Sequence, residues 1–270
     1  MFKIDHDLHI HSGLSRCSLD KEQTALKILE YAKENNLKYV CVTDHFWSES
    51  VPVKKGWKAE DFYLKQNRSY ISQILPLPQE DKIKFLFGCE ADIDEDLNLG
   101  IKKDEFDLFD FVVIATNHLH MFPFLSIEET ASNLIKRFNA IADMDLPFQK
   151  IGLAHPTCKL IAPNGQTKEV LNSISDTTLT NIFNKFAKKQ LGIELNKIDF
   201  DLESVSPDDI RASFRVLKIA KDCGCKFYLG SDSHHPKDFF NSTKVFSYII
   251  KELNLKENDK FIPINCQNDL

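Results

Sequence analysis

Clusters of histidine and carboxylate residues recur along this chain, and each one follows a short apolar run. Eight of the nine histidines lie in these clusters, and His6 is the exception. The clusters are His9-Ile10-His11, Thr43-Asp44-His45, Gly88-Cys89-Glu90, Asn117-His118-Leu119-His120, Ala154-His155-Pro156 and Ser231-Asp232-Ser233-His234-His235. Imidazole and carboxylate are the ligands of zinc, manganese and iron sites. Scattered surface histidines would not fall repeatedly at the ends of apolar runs, so the pattern predicts a site that holds several metal ions.

The apolar runs predict a parallel β-sheet whose strands alternate with helices. Short, continuously apolar strands are expected where both faces of a parallel sheet are covered. The predicted strands are 4–8, 39–42, 83–87, 111–115, 150–154, 191–195 and 226–229. The predicted helices are 21–35, 127–143, 179–189, 207–223 and 237–253. Ser126 and Glu129 have the spacing of a capping box at the start of the second helix.

Seven strand-then-helix units favour a closed, TIM-like (β/α) barrel over an open, doubly wound sheet. In a barrel the active site lies at the C-terminal ends of the strands, and six of the seven predicted strands end in a His/Asp/Glu cluster. The sixth strand ends in Glu194-Leu195-Asn196, a weaker polar pair. An open sheet would bring fewer strand ends to one point. We expect loop elaborations around 47–82 and 92–109, and a final short strand at 261–264.

Composition limits the classes of partner. The net charge is −6 and no basic run stands out, which makes nucleic-acid binding an unfavoured interpretation. No apolar stretch approaches the roughly 20 residues of a membrane span. The N-terminus is too polar for a signal peptide. Seven cysteines without zinc-ribbon spacing indicate reduced thiols, so we expect a cytoplasmic protein.

The spacing inside two clusters has a direct chemical meaning. Side chains repeat every two residues along a strand, so His9 and His11 should point to the same side and reach one ion. The same holds for Asp232 and His234. A carboxylate such as Glu90 can bridge two metal ions, which an imidazole cannot do.

The chain resembles the PHP (polymerase and histidinol phosphatase) superfamily in the order and content of its motifs. The motifs that carry the resemblance are Asp7-Leu8-His9-Ile10-His11-Ser12, Thr43-Asp44-His45, Gly88-Cys89-Glu90, His118, His155 and Gly230-Ser231-Asp232-Ser233-His234. The resemblance runs from residue 7 to 236 and is closest to the stand-alone phosphoesterase branch. It implies a distorted (β/α)7 barrel, which we place as one domain over residues 1–270.

The resemblance also implies a centre of two to three divalent ions, with zinc, manganese and iron all open. One ion would be held by His9, His11, Glu90 and Asp232. Glu90 would bridge to a second ion, held also by His118 and His155, and His45 and His234 would hold a third. At the position where the family often has His or Asp, this chain has Cys17. Its thiolate could complete the third site, Asp20 could do so instead, or Cys17 could be a buried thiol that contacts no metal.

We therefore expect an enzyme that hydrolyses a small phosphomonoester with a metal-activated hydroxide, in the manner of histidinol phosphatase. Glu90, Asp232 and His234 are the expected catalytic residues. Arg16, Lys159, Asn196 and His235 are the candidates for binding a phosphorylated metabolite. His6 has the simpler interpretation of a satisfied histidine at the base of the barrel.

Three other interpretations stay open. A phosphodiesterase or nuclease would use the same centre, and a non-catalytic metal-binding module would keep it without turnover. An amidohydrolase also begins with His-x-His, but Gly88-Cys89-Glu90 and the closing Asp-x-His motif point away from it. No GxSxG or Cys-His signature competes for a nucleophile role. The sequence does not predict an oligomeric state.

Overall fold

A computed structural model describes residues 1–18, 20–119, 125–162, 165–264 and 266 of the chain. Every strand pairing in its sheet is parallel. The strands are β1 His6–Ile10, β2 Tyr39–Val42, β3 His45–Phe46, β4 Lys84–Asp92, β5 Phe111–Ala115, β6 Ile151–Ala154, β7 Gly192–Asn196 and β8 Lys226–Gly230.

The strands occupy seven positions around a TIM-like barrel. Their order is β1-β2-β4-β5-β6-β7-β8, and β3 pairs with β4 further along the same edge as β2. β2 pairs with 84–87 and β3 with 90–91, so these two short strands are one path interrupted at Thr43 and Asp44. The predicted distorted (β/α)7 barrel is confirmed.

Hydrogen bonds between β1 and the chain around β8 close the barrel. The amide of Asp232 donates to the carbonyl of His9 at 2.8 Å, and the amide of His11 donates to Ser233 at 3.0 Å. Lower down, His6 accepts from the amide of Leu229 through Nε2 at 3.0 Å and contacts Asp5 through Nδ1. The simpler interpretation of His6 as a satisfied, buried histidine is therefore confirmed.

Helices of very different lengths cover the sheet and its loops. They are α1 Ala25–Glu34, α2 Glu60–Tyr63, α3 Arg68–Ile71, α4 Ile127–Asp143, α5 Thr167–Ser173, α6 Asp176–Lys189, α7 Pro207–Asp222 and α8 Ser242–Glu252. The predicted capping box starts α4, because Ser126 and Glu129 satisfy each other's backbone amides at 3.2 and 2.8 Å. Among the described residues, no helix combines the length and the apolar character that a bilayer span requires.

Apolar side chains fill both the inside of the barrel and the layer between sheet and helices. The inner set includes Leu8, Phe111, Tyr228 and Phe261, all buried. A larger set packs the helices against the outer face of the sheet. This filling of the interior leaves the strand ends as the place where polar side chains can gather.

Several predicted boundaries are wrong in an informative way. β1 lies two residues later than predicted, and β4 runs five residues further, to Asp92, because its end pairs with β3 and β5. The predicted strand at 261–264 is absent, although the amide of Phe261 donates to the carbonyl of Phe227 at 2.7 Å. The predicted loop elaboration at 47–82 contains two short helices, α2 and α3. The predicted elaboration at 92–109, after β4, contains a 3-10 helix at Lys103–Leu108.

Candidate metal centre

The predicted ligands converge at the C-terminal end of the barrel. Ring nitrogens of His9 and His11 lie 3.3 Å apart, as their spacing in β1 predicted. Five sets of three side chains place their ligand atoms within 4.8 Å of one another. They are His9/His11/Glu90, His9/His155/Asp232, Glu90/His118/His155, His11/Asp232/His234 and His11/Cys17/His45.

Glu90 occupies the middle of this arrangement with its two oxygens facing different histidines. Oε1 lies 3.0 Å from Nε2 of His155 and 3.7 Å from Nε2 of His118. Oε2 lies 3.1 Å from Nδ1 of His45, 3.3 Å from Nε2 of His11 and 3.6 Å from Nε2 of His9. One oxygen therefore faces each of two ligand groups, which is the geometry a bridging carboxylate requires.

Asp232 supplies the second carboxylate from the loop after β8. Its Oδ1 lies 3.1 Å from Nε2 of His11 and 3.5 Å from Nε2 of His9. Nδ1 of His234 lies 3.7 Å from the same oxygen. Together with Glu90, it places two negative charges in a buried space surrounded by imidazoles.

Most of the histidines are oriented by a partner on their other ring nitrogen. Nδ1 of His9 contacts both oxygens of Glu194, at 3.0 and 3.1 Å. Nδ1 of His118 lies 2.5 Å from Oδ2 of Asp92. Such partners fix the tautomer and leave Nε2 free to bind an ion. The same arrangement holds at two further histidines, where Nδ1 of His155 contacts Asn117 at 2.9 Å and Nδ1 of His234 contacts the Asp232 carbonyl at 2.7 Å.

Gly230 makes room for the carboxylate of Glu194. A β-carbon at this position would lie 1.9 Å from Oε1 of Glu194 and 2.8 Å from the β-carbon of His9. Any side chain at position 230 would displace Glu194, and His9 would then lose the partner of its Nδ1 atom.

Two candidate ligands have a left-handed backbone. The φ angle is +26° at His155 and +51° at Asp232. Residues other than glycine adopt this region at an energetic cost, which surrounding structure must offset. At His155 the amide donates to Oε2 of Glu194 at 2.5 Å, and Asn117 contacts both the ring and the carbonyl. These contacts aim the side chain of His155 into the centre.

The electrostatics keep the carboxylates ionised. Burial raises the pKa of Glu90, but the surrounding histidines hold it well below its ordinary value. Burial lowers the pKa of His11, yet Asp232 and Glu90 raise it to about 9. Burial dominates at His45 and lowers its pKa to about 3, so its imidazole is neutral and able to act as a ligand.

The donor set fits divalent metal ions. The buried atoms Nδ1 of His11, Nδ1 of His45 and Oε2 of Glu90 have no hydrogen-bond partner among the described residues. Buried polar atoms are normally satisfied, so the unsatisfied nitrogen and oxygen atoms that converge on this space fit the ligand shell of a cation. Imidazole nitrogens and carboxylate oxygens are the ligands that zinc, manganese and iron accept.

Cys17 lies beside the centre, and Asp20 does not. The sulfur of Cys17 belongs to a set with His11 and His45, and the hydroxyl of Ser15 lies 3.0 Å from it. Burial raises the pKa of this thiol well above its ordinary value. Asp20 instead contacts Nε2 of His235 at 2.6 Å. The geometry therefore favours Cys17 over Asp20 as a neighbour of the third ion.

The four predicted substrate-binding residues differ in their surroundings, and their role stays a prediction. Lys159 lines a cavity of about 460 Å³ in front of the centre. Arg16 lies at its rim, 6.0 Å from the ring centroid of Phe62. Asn196 is buried and donates to Oε1 of Glu194 at 3.1 Å. His235 contacts Asp20 through its Nε2 atom at 2.6 Å.

The prediction from sequence missed several residues that orient or enclose the centre. Asp92 is two residues after Glu90 in β4, so the two-residue period of a strand could have identified it. Glu194 lies at the end of its predicted strand, but with Asn196 it forms a polar pair that carries a weaker signal than the histidine clusters. The cavity walls at Phe62, Leu160 and Ile198 carry no sequence signal that separates them from ordinary packing residues. His120 and the neighbouring aromatic residues at 122 and 124 lie outside the described residues.

Comparisons with known proteins agree with this geometry. The PHP domain family matches residues 7–198. The fold is similar to that of histidinol phosphate phosphatase from Lactococcus lactis subsp. lactis Il1403, solved with zinc, L-histidinol and phosphate. The TM-score is 0.60 at 19% identity, over 96% of this chain and 98% of that chain.

A weaker likeness is to a protein described as a candidate alpha-L-fucosidase from Bacteroides thetaiotaomicron VPI-5482. Its TM-score is 0.39 at 10% identity, over 94% of each chain, so it carries no argument about function. A comparison with curated proteins finds no match. The match to the family covers more than half of the sequence and includes most of the predicted ligands. The chain therefore belongs to the PHP domain family.

Proposed function

We propose that this protein is a metal-dependent phosphoesterase that hydrolyses a small phosphomonoester. The observation that carries the proposal is the position of Glu90, whose two oxygens face histidines on opposite sides at 3.0 to 3.7 Å. Family membership supports phosphoester chemistry, and the ligands of the similar Lactococcus protein make L-histidinol phosphate a first compound to test.

We assign the residues as follows. His9, His11, Glu90 and Asp232 would hold one ion, and Glu90, His118 and His155 a second. His45 and His234 would hold a third, with Cys17 beside them. When bound, such ions supply positive charge for phosphoryl oxygens and lower the pKa of water. Two to three ions of zinc, manganese or iron are compatible with these donors.

The chain's own contribution is orientation and enclosure. Asp92, Asn117 and Glu194 hold three imidazoles in place before substrate arrives, so no rearrangement is needed at the moment of reaction. In the net reaction, water adds to phosphorus and the bond from phosphorus to the ester oxygen breaks. The released group takes a proton and leaves as an alcohol. Asp232 and His234 lie at the open side of the centre, where they could contact the reacting groups.

The remaining proposals concern substrate contacts and location. Lys159 and Arg16 are positively charged groups at or near the cavity and are suited to an anionic ester. His235 pairs with Asp20 and Asn196 with Glu194, so each would have to exchange or share its present partner to bind substrate. Seven free cysteines support a reducing, cytoplasmic location.

The test is a metal-removal and reconstitution experiment. The protein is stripped by a chelator, verified as metal-free, and reloaded with zinc, manganese or iron in turn. We expect at least two tightly bound ions per chain and turnover of p-nitrophenyl phosphate only after reloading. Full turnover by verified metal-free protein would refute the proposal.

A second assay separates monoesterase from diesterase activity. We expect p-nitrophenyl phosphate to be hydrolysed faster than bis(p-nitrophenyl) phosphate by the reloaded protein. The opposite order would indicate a phosphodiesterase. Absence of turnover with either ester, despite bound metal, would indicate a non-catalytic module.

A further inference from the structure

The cavity in front of the metal centre has a floor and walls of different chemistry. The floor consists of candidate ligands, among them Glu90 and Asp232. The walls are formed by Phe62, Cys158, Lys159, Leu160 and Ile198. With a volume of about 460 Å³, the space suits a small metabolite rather than a polymer. A phosphoryl group bound at the floor would place its leaving group against these walls.

The wall residues that the structure describes are apolar apart from one positive charge. Lys159 starts a 3-10 turn after β6, and its side chain forms no ion pair with the described residues. Among the described residues that line the cavity, only Glu90 and Asp232 are acidic, and both belong to the floor. The part of a substrate that extends from the phosphoryl group would therefore meet no carboxylate among the described wall residues.

Two acidic side chains outside the cavity lining, Asp20 and Asp61, already have partners. Asp20 contacts Nε2 of His235 at 2.6 Å. Asp61 contacts the guanidinium of Arg16 at 3.4 Å and Nζ of Lys65 at 2.9 Å. Neither side chain lines the cavity, so an incoming ammonium group would have to compete with an existing partner.

Asp199 follows the wall residue Ile198 but offers no charge to a substrate. Its side chain is buried, and its Oδ2 accepts from the hydroxyl of Thr157 at 2.7 Å. Burial raises the pKa of Asp199 to about 8, so the carboxyl group is mainly protonated at neutral pH. It does not belong to the cavity lining.

We propose that the leaving group of the substrate has a compact apolar body with a second anionic group, which Lys159 recognises. This inference rests on the proposed function and narrows its substrate class. An amino alcohol ester such as L-histidinol phosphate would instead place an uncompensated ammonium group near Lys159 and the metal ions. A carboxylate and a second phosphate share the required chemistry.

Matched aryl phosphates test the proposal. The metal-loaded protein is assayed with phenyl phosphate, 4-carboxyphenyl phosphate, 1,4-phenylene bisphosphate and 4-(aminomethyl)phenyl phosphate, and with L-histidinol phosphate. We expect kcat/KM to be at least about fivefold higher for an anionic ester than for the aminomethyl ester. A change of about fivefold is the upper end of what one exposed ion pair contributes. Comparison of the 4-carboxyphenyl ester with the bisphosphate shows whether the second anionic group is a carboxylate or a phosphate.

Variants assign the preference to Lys159. Lys159→Gln should reduce kcat/KM for the anionic esters about fivefold more than it reduces kcat/KM for phenyl phosphate, and Lys159→Glu should favour the aminomethyl ester. Lys188→Gln, an exposed change on α6, is the matched control. Equal turnover of the neutral, anionic and aminomethyl esters, or fastest turnover of L-histidinol phosphate, would contradict the inference about Lys159. Either result would leave the proposed phosphoesterase function intact. Failure to hydrolyse any ester would instead refute the proposed function.

Discussion

Replacement of Asp92 by asparagine tests whether orientation of His118 determines metal binding. Oδ2 of Asp92 accepts from Nδ1 of His118 at 2.5 Å and from the hydroxyl of Tyr63, and Oδ1 accepts from the amide of Ile93 at 2.8 Å. All three partners are donors. In Asp92→Asn, the new NH2 group must face at least one of them, so the variant loses a charge and also creates a donor–donor conflict.

The magnitude follows from these contacts. A hydrogen bond to a charged group contributes about 1.5–3 kcal/mol. Loss of a partner that orients a metal-bound histidine costs about 10- to 100-fold in metal affinity, which corresponds to about 1.4–2.7 kcal/mol. Because the two ranges overlap, we expect one ion to bind about 10- to 100-fold more weakly in Asp92→Asn.

Calorimetric titration of zinc into metal-free protein measures this loss, with circular dichroism to verify folding. Asp96→Asn is the matched control, since it makes the same chemical change on an exposed side chain of the next loop. Tyr63→Phe removes one donor but keeps the carboxylate, so it should weaken binding only a few-fold. Equal affinities for Asp92→Asn and the parent protein would refute the view that Asp92 positions His118.

Three further changes test other parts of the centre. Glu90→Gln should lower turnover by orders of magnitude while the fold persists, because only a carboxylate can bridge; retention of most activity would exclude the bridge. Cys17→Ser should reduce the metal count by one if the thiolate is a ligand, and unchanged stoichiometry and activity would leave Cys17 structural. Burial raises the pKa of Asp5, but His6 and Lys260 outweigh it and lower the value from 3.8 to about 2. The ionised form therefore stabilises the fold above pH 4, and this contribution is lost as the pH falls towards 2. Asp5→Asn should reduce the free energy of unfolding by about 2 kcal/mol at pH 7 and by less near pH 3; a difference that does not change with pH in denaturation experiments would contradict this.

The barrel and its ligands could be predicted because they depend on strong local signals. Continuous apolar runs identified the strands, and the spacing of His9 and His11 correctly placed both rings on one side. The strand ends were less certain. β4 extends to Asp92 only because β3 and β5 supply backbone partners there, and such partners are not visible in the segment itself.

The residues that orient the ligands were harder to predict because they act across long sequence separations. Glu194 contacts His9, which lies 185 positions away in the chain. Phe62 reaches the cavity from an elaboration whose fold depends on many weak contacts. Asn117 is buried and contacts Nδ1 of His155, which lies 38 positions further along the chain. Such pairings depend on barrel closure, and no local pattern specifies them.

The central claim is that Glu90 bridges two metal ions at the C-terminal end of the barrel. A crystal structure of the metal-loaded protein with phosphate, recorded at the absorption edges of zinc, manganese and iron, tests it most directly. The account predicts at least two anomalous peaks, one oxygen of Glu90 on each of two ions, and phosphate on their open side. Peaks that do not contact Glu90, or no peak among these side chains, would contradict it.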